Sequence, residues 1–250
     1  MNDALNNQVR FYLPLLFFLL FPLLTIGANL QEDSLLQVLS TQTQDTSRIG
    51  TLNELFKLHF SSDPVTARTY ALEALELARK SEEREFISKM CNNLGVLESQ
   101  SDNYDAALIY HSEAYRIRQE DLDSANLTGS LLNMGNIYFK KGDYEKAVEN
   151  YQKSSQISIA LQDTAGLLGA VGNIGTIYNE QGKYAEALQV YLNALHFHEK
   201  LNNPADLGGA QYNVGNVYQQ MGMWEDAIVF LNRALENYKK ENKGHYYFGH

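Results

Sequence analysis

The residues able to do covalent or metal chemistry are few and scattered. The chain has one cysteine, Cys91, and six histidines in 250 residues. A single thiol closes no internal disulfide and builds no cysteine metal site. His196 and His198 stand two apart, a spacing that puts them on different faces of a helix. His59, His111, His245 and His250 are isolated. No H-E-x-x-H, P-loop or Gly-x-Gly string occurs. No nucleophile is spaced with a base, so the reading is no catalytic centre, no cofactor and no metal site. What recurs instead is the carboxamide. Asn93, Asn133, Asn173 and Asn213 follow one another with a constant 40-residue step. An asparagine side chain both donates and accepts, so a spaced series suits hydrogen bonding to extended backbone. It equally suits bonding between neighbouring copies of one structural unit.

The elements that position those amides repeat with them. Gly95, Gly135, Gly175 and Gly215 lie two places after each Asn. Tyr104, Tyr144, Tyr184 and Trp224 keep the 40-residue step, as do Ala107, Ala147, Ala187 and Ala227. Gly142, Gly182 and Gly222 precede three of the aromatics by two places. A degenerate copy lies upstream at Asn53 and Ala67, with Pro64 in place of the aromatic. Fixed-period self-similarity of this kind marks a stacked repeat. Within a copy the apolar spacing is helical: Leu131, Met134, Ile137 and Tyr138 share one face. Gly142 then suits a helix C-terminal cap and Asp143 an N-cap. Each copy is therefore a helical hairpin. The alanines allow close helix approach. The mid-helix glycines cost propensity, which a crossing with no room for a side chain explains. Gly129, Gly169 and Gly209 leave room for ligand backbone or serve another close crossing. Glu145, Lys146, Glu149 and Lys153 mark a solvated face, and Cys91 falls in an apolar core column.

The segment 11–26, FYLPLLFFLLFPLLTI, carries no charge. It falls short of the roughly 20 residues of a membrane-spanning helix and fits a secretory apolar region. The expected organisation is a signal peptide or uncleaved anchor over 1–28, a polar linker over 29–47, and a five-unit array over 48–241. Residues 242–250 read as the lead-in to a further unit or a tail, which would leave Tyr246, Tyr247 and Phe248 exposed. The net charge of −10 argues against wrapping a nucleic-acid backbone. The fold class is all-α, a right-handed solenoid of stacked hairpins.

These columns resemble the tetratricopeptide repeat family. Its pattern is matched by Ile174-Gly175, Tyr178, Tyr184, Ala187, Tyr191 and Ala194, and again by Val214-Gly215, Tyr218, Trp224, Ala227, Leu231 and Ala234. The common period is 34, and a period of 40 resembles the long-helix variety of the polarity scaffold binding proteins and kinesin light chains. The resemblance implies a concave groove lined by first helices that holds another protein or an extended peptide. The groove residues it implies are Asn93, Asn133, Asn136, Asn173, Thr176, Asn179, Tyr212, Asn213 and Asn216. Such a groove is amide-rich and reads backbone more than charge. The front end, from Asp45-Thr-Ser-Arg48 through Ala74-Leu-Glu-Leu-Ala78, resembles exported sensor-type proteins of Bacteroidetes-like bacteria. That likeness implies an exported, periplasmic binding scaffold. The alternative is a membrane-anchored sensor region whose output domain is absent from this chain. A membrane is involved only if the N-terminal segment stays uncleaved or a C-terminal anchor is missing.

Overall fold

The computed structural model describes the backbone of residues 30–201 and 204–247, and their side chains except those of 125, 204–206 and 241–247. The apolar segment 11–26, its flanks, the side chains of Tyr246 and Tyr247, and Phe248 lie outside the described residues. All regular structure among the described residues is helical. A first helix, α1, covers 30–41. It is followed by α2 (Asp45–His59), α3 (Pro64–Lys80), α4 (Arg84–Gln100), α5 (Tyr104–Glu120) and α6 (Ser124–Lys140). Then come α7 (Tyr144–Leu161), α8 (Thr164–Glu180), α9 (Tyr184–Leu201), α10 (Pro204–Gln220) and α11 (Trp224–Tyr247).

From Pro64 to Trp224 the helix starts are evenly spaced, two to each period of the sequence. The turns explain this regularity. Glu82, Asp102, Leu122, Gly142, Gln162, Gly182 and Gly222 all have a positive φ, between 56° and 76°. Each stands two places before the next helix. One left-handed residue ends a helix, and glycine takes that conformation without a Cβ clash. Where the residue after it is aspartate, at 123, 143 and 163, its side chain caps the new helix, as Asp63 caps α3. The carboxylates of Asp63, Asp123, Asp143 and Asp163 accept from the N–H of Thr66, Asn126, Lys146 and Gly166 at 3.0–3.3 Å.

The chain divides between Leu97 and Glu98 into two compact units. In the first, α2 and α3 form a hairpin. Ala67, Ala71, Ala74 and Ala78 of α3 are fully buried, as are Ile49, Leu52 and Leu55 of α2. Helix α1 is tied to this hairpin. Glu32 meets His59 Nε2 at 3.0 Å, and Arg48 donates to the Leu39 carbonyl at 3.1 Å. Residues 30–41 are therefore not a polar linker. Glu32, Leu35 and Leu39 are half-buried on one face, at helical spacings of three and four.

In the second unit α6–α7, α8–α9 and α10–α11 are hairpins. Helices α5, α7 and α9 pack on the first helix of the following hairpin, and α6, α8 and α10 touch in turn. The fold is an all-α solenoid of stacked helical hairpins. Helix α11 runs on through Tyr247, so 242–247 continue the last helix.

The crossing inside each hairpin is set by glycine. A Cβ on Gly135 would lie 2.4 Å from the Tyr151 ring, and one on Gly175 2.0 Å from Tyr191. On Gly215 it would lie 2.8 Å from Leu231. Ala107, Ala147 and Ala187 are fully buried and Ala227 nearly so. Gly129, Gly169 and Gly172 differ: a Cβ there would meet nothing within 4 Å, so a close crossing does not account for them. A Cβ on Gly209 would make only ordinary contacts at 3.9 Å.

His111 stands one period before Tyr151. It is buried, its Nδ1 has no hydrogen-bond partner, and its neighbour Arg118 donates to Ser130 Oγ at 2.7 Å. Burial, reinforced by the Arg118 guanidinium, pushes the imidazole down to about 4. The unfolded chain thus takes up a proton below about pH 6.5 that the folded chain refuses until about pH 4. The associated stability is complete above about pH 6.5 and is lost as the pH falls through that window.

Two outcomes are expected in thermal unfolding. Gly172→Ala raises Tm, because helix propensity improves by about 0.5–1 kcal/mol in open space. Gly175→Ala, three places away, lowers it through the collision with Tyr191, and equal shifts would refute the crossing. For His111→Tyr, the fall in stability between pH 7 and 5 shrinks by about 2 kcal/mol relative to the parent chain. Parallel pH profiles would show that His111 is not the acid-sensitive group.

Candidate functional site

The touching row of α6, α8 and α10 sets most of the expected groove residues side by side. Asn133 and Asn136 lie on α6, Asn173, Thr176 and Asn179 on α8, and Tyr212, Asn213 and Asn216 on α10. Asn136, Thr176 and Tyr212 are exposed, and the other five are half-buried. Asn93 lies on α4, in the first unit, and is half-buried too.

Part of this amide series is engaged between neighbouring first helices. Asn173 Nδ2 donates to Asn136 Oδ1 at 3.2 Å, and the same oxygen accepts from the Tyr151 hydroxyl at 2.7 Å. In the first unit Asn93 Nδ2 donates to Asn53 Oδ1 at 3.0 Å, across one full period. Asn133 also has an interaction within the protein. The Thr176 hydroxyl donates to the Gly172 carbonyl at 2.9 Å, which also accepts from the Tyr191 hydroxyl at 3.4 Å.

Asn179 is different. Its Oδ1 is shielded from solvent and accepts no hydrogen bond. A buried acceptor left without a donor costs about 1–3 kcal/mol. On the same helix Gly169 and Gly172 leave backbone uncovered, as Gly129 does on α6.

The first unit adds a cavity of about 230 Å³ lined by Phe56, Lys57, Phe60, Asn93 and Val96. The Phe56 and Phe60 rings stand 5.3 Å apart, and Glu54 holds the Lys57 amine at 2.7 Å. The sequence reading did not single out these phenylalanines. The available signal was the period, since Phe56 stands one step before Val96.

Among the described residues no group of three or more His, Cys, Asp or Glu is placed to hold a metal ion. Cys91 is fully buried, and His198 is buried beside the edge of the Phe197 ring. Surface charges are answered locally: Lys153 meets Glu149 at 2.6 Å and Lys146 meets Asp143 at 2.7 Å. No described helix is long and apolar enough to cross a membrane.

Solved structures resemble this arrangement. BtubC from P. vanneervenii is 19% identical with a TM-score of 0.69, the match covering 87% of this chain and 90% of that one. The apo form of the quorum sensor NprR from B. thuringiensis is 17% identical with a TM-score of 0.62, covering 90% and 64%. A Rap protein complexed with Competence and Sporulation Factor is 14% identical with a TM-score of 0.58, covering 82% and 68%. At these identities the likeness is one of fold. Comparison with curated proteins finds no match. The expectation of an exported, periplasmic protein is corrected by these likenesses to a Rap protein and to the quorum sensor NprR. The reading of export rested on the apolar run 11–26, and hydrophobicity over that length does not fix an address by itself. Models described as Tetratricopeptide repeat match residues 89–120, 130–158 and 163–240, together more than half of the chain. With hairpins, glycine crossings and stacked first helices in the same register, the chain belongs to the tetratricopeptide repeat family.

Proposed function

We propose that this chain is a non-catalytic binding scaffold whose first helices hold an extended segment of a partner protein. The observation that carries the reading is the row of exposed and half-buried amides and hydroxyls on the touching helices α6, α8 and α10. Carboxamides both donate and accept, and an extended peptide backbone offers an N–H and a C=O at every second residue on a given side. Asn133, Asn136, Asn173, Asn213, Asn216 and Thr176 give further amide and hydroxyl groups along the same row, with Tyr212 at its edge. Asn93 belongs to the first unit, where it bonds Asn53. The Asn173–Asn136 bond does not oppose this role. It fixes the orientation of two amides before a ligand arrives, which lowers the ordering cost of binding.

The likeness to a Rap protein complexed with Competence and Sporulation Factor supports a binding role for the fold. The likeness to the quorum sensor NprR favours a sensing task for that binding. The 40-residue step supports reading the array, over 48–241, as the long-helix variety of the family. The segment recognised is uncharged or of mixed charge, because the row contributes amides and hydroxyls rather than a field of one sign.

The test is selection from a displayed library of random extended peptides against the full chain. Peptides so enriched are expected to bind at least tenfold more weakly to Asn173→Ala/Asn179→Ala, with far-UV circular dichroism unchanged. Loss of helicity along with binding would make these amides structural. Unaltered affinity would place the binding site elsewhere.

A further inference from the structure

A cleft of about 490 Å³ opens where α7 meets α8, in the middle of the second unit, with described helices before and after it. Its lining includes Tyr144, Tyr178, Glu145, Glu149, Gln181 and Lys183, none of which belongs to the amide row. Both glutamates are exposed and both tyrosines half-buried. Glu149 is held by Lys153 at 2.6 Å. Lys146, beside Glu145 in the sequence, is committed elsewhere: it meets Asp143 at 2.7 Å and stands over the Tyr138 ring at 5.4 Å. Among the described residues no ion pair joins Glu145 to any cation, Lys183 included.

The repeat supplies an internal comparison. One period earlier, where α5 meets α6, the positions of Tyr144, Glu145, Tyr178 and Gln181 hold Tyr104, Asp105, Tyr138 and Lys141. There Lys141 forms an ion pair with Asp105, and Lys140 Nζ stands 5.7 Å from the centre of the Tyr104 ring. Two neighbouring lysines thus answer the carboxylate and the ring face together. One period later, where α9 meets α10, Ala185 and Met221 stand in place of Glu145 and Gln181, so there is no charge to answer. Between α7 and α8 the ring and the acid are kept, but Glu180 and Gln181 replace the two lysines. The cation over Tyr138, Lys146, likewise becomes Glu186 one period on. Lys183 is a cation gained, at the position of the cap residue Asp143.

We propose that the α7–α8 cleft receives an arginine side chain of a partner protein. The occupant follows from charge complementarity and from the filled counterpart, where the chain's own lysines do the same work. A guanidinium does both tasks with one side chain: its plane lies on the Tyr144 ring and its fork of N–H donors meets the Glu145 carboxylate. Glu180 adds a second acid beside the site, while Glu149 stays with Lys153. Contacts of this kind in an exposed cleft are weak singly, so the site adds selectivity to a larger interface rather than forming one alone. The proposal is independent of the amide row, and each stands or falls on its own residues.

The test is a nuclear magnetic resonance titration of the full chain carrying isotope-labelled tyrosine, at constant ionic strength. The probe is the capped peptide acetyl-Gly-Arg-Gly-amide, taken to millimolar concentration and above. The control carries citrulline, which has the shape of arginine without its charge. The arginine peptide is expected to shift the Tyr144 ring resonances and to saturate, and the citrulline peptide to leave them in place. Glu145→Gln is expected to weaken the response at least fivefold. So is Glu180→Lys/Gln181→Lys, which restores the lysines of the α5–α6 junction and lets the chain fill its own cleft. Far-UV circular dichroism stays unchanged in both variants. Equal response to the two peptides, or resonances that never move, would overturn the proposal. An undiminished response in the lysine-restored variant would do the same, because the arginine would then be binding elsewhere.

Discussion

The contact on which the rest depends is a ring placed over a missing side chain. At Gly135 and Gly175 the first helix presents bare backbone, and Tyr151 and Tyr191 occupy the volume a Cβ would need. This fixes how near the two helices of a hairpin lie, and hence where each second helix meets the next first helix. The aromatic ring fills the crossing, and its hydroxyl reaches a polar group of the first helix. Tyr151 thereby donates to Asn136, and Tyr191 to the Gly172 carbonyl. A core residue thus orients groups in the amide row. At the last hairpin Leu231 takes the same place without a hydroxyl, so Tyr212, Asn213 and Asn216 receive no tether of this kind from that position.

The second constraint is the turn. A left-handed residue followed by a cap, recurring twice in each period, keeps the helices from α3 to α10 nearly equal in length. Equal lengths bring equivalent positions together in successive hairpins. The Asn53–Asn93 bond across one full period is a direct consequence. Where side chains differ, the backbone does not: Glu82, Asp102, Leu122 and Gln162 take the conformation that glycine takes elsewhere. The surface ion pairs, such as Glu149 with Lys153, add only a few tenths of a kcal/mol each and set none of this geometry.

How much was legible in the sequence follows from what depends on period and what depends on distance. The hairpins, the Gly142–Asp143 break and the crowding at Gly135, Gly175 and Gly215 came from spacing alone. Helix α1 did not, because its buried face consists of Glu32, Leu35 and Leu39 within a polar stretch outside the period. Gly129 and Gly169 read equally as room for a ligand or as further crossings, and only the position of the neighbouring helices shows open space there. Asn179 shares the composition of its neighbours, and that its Oδ1 lacks a donor is a matter of ångströms. The address read from residues 11–26 failed for another reason: an apolar run has no periodic partner against which to check it.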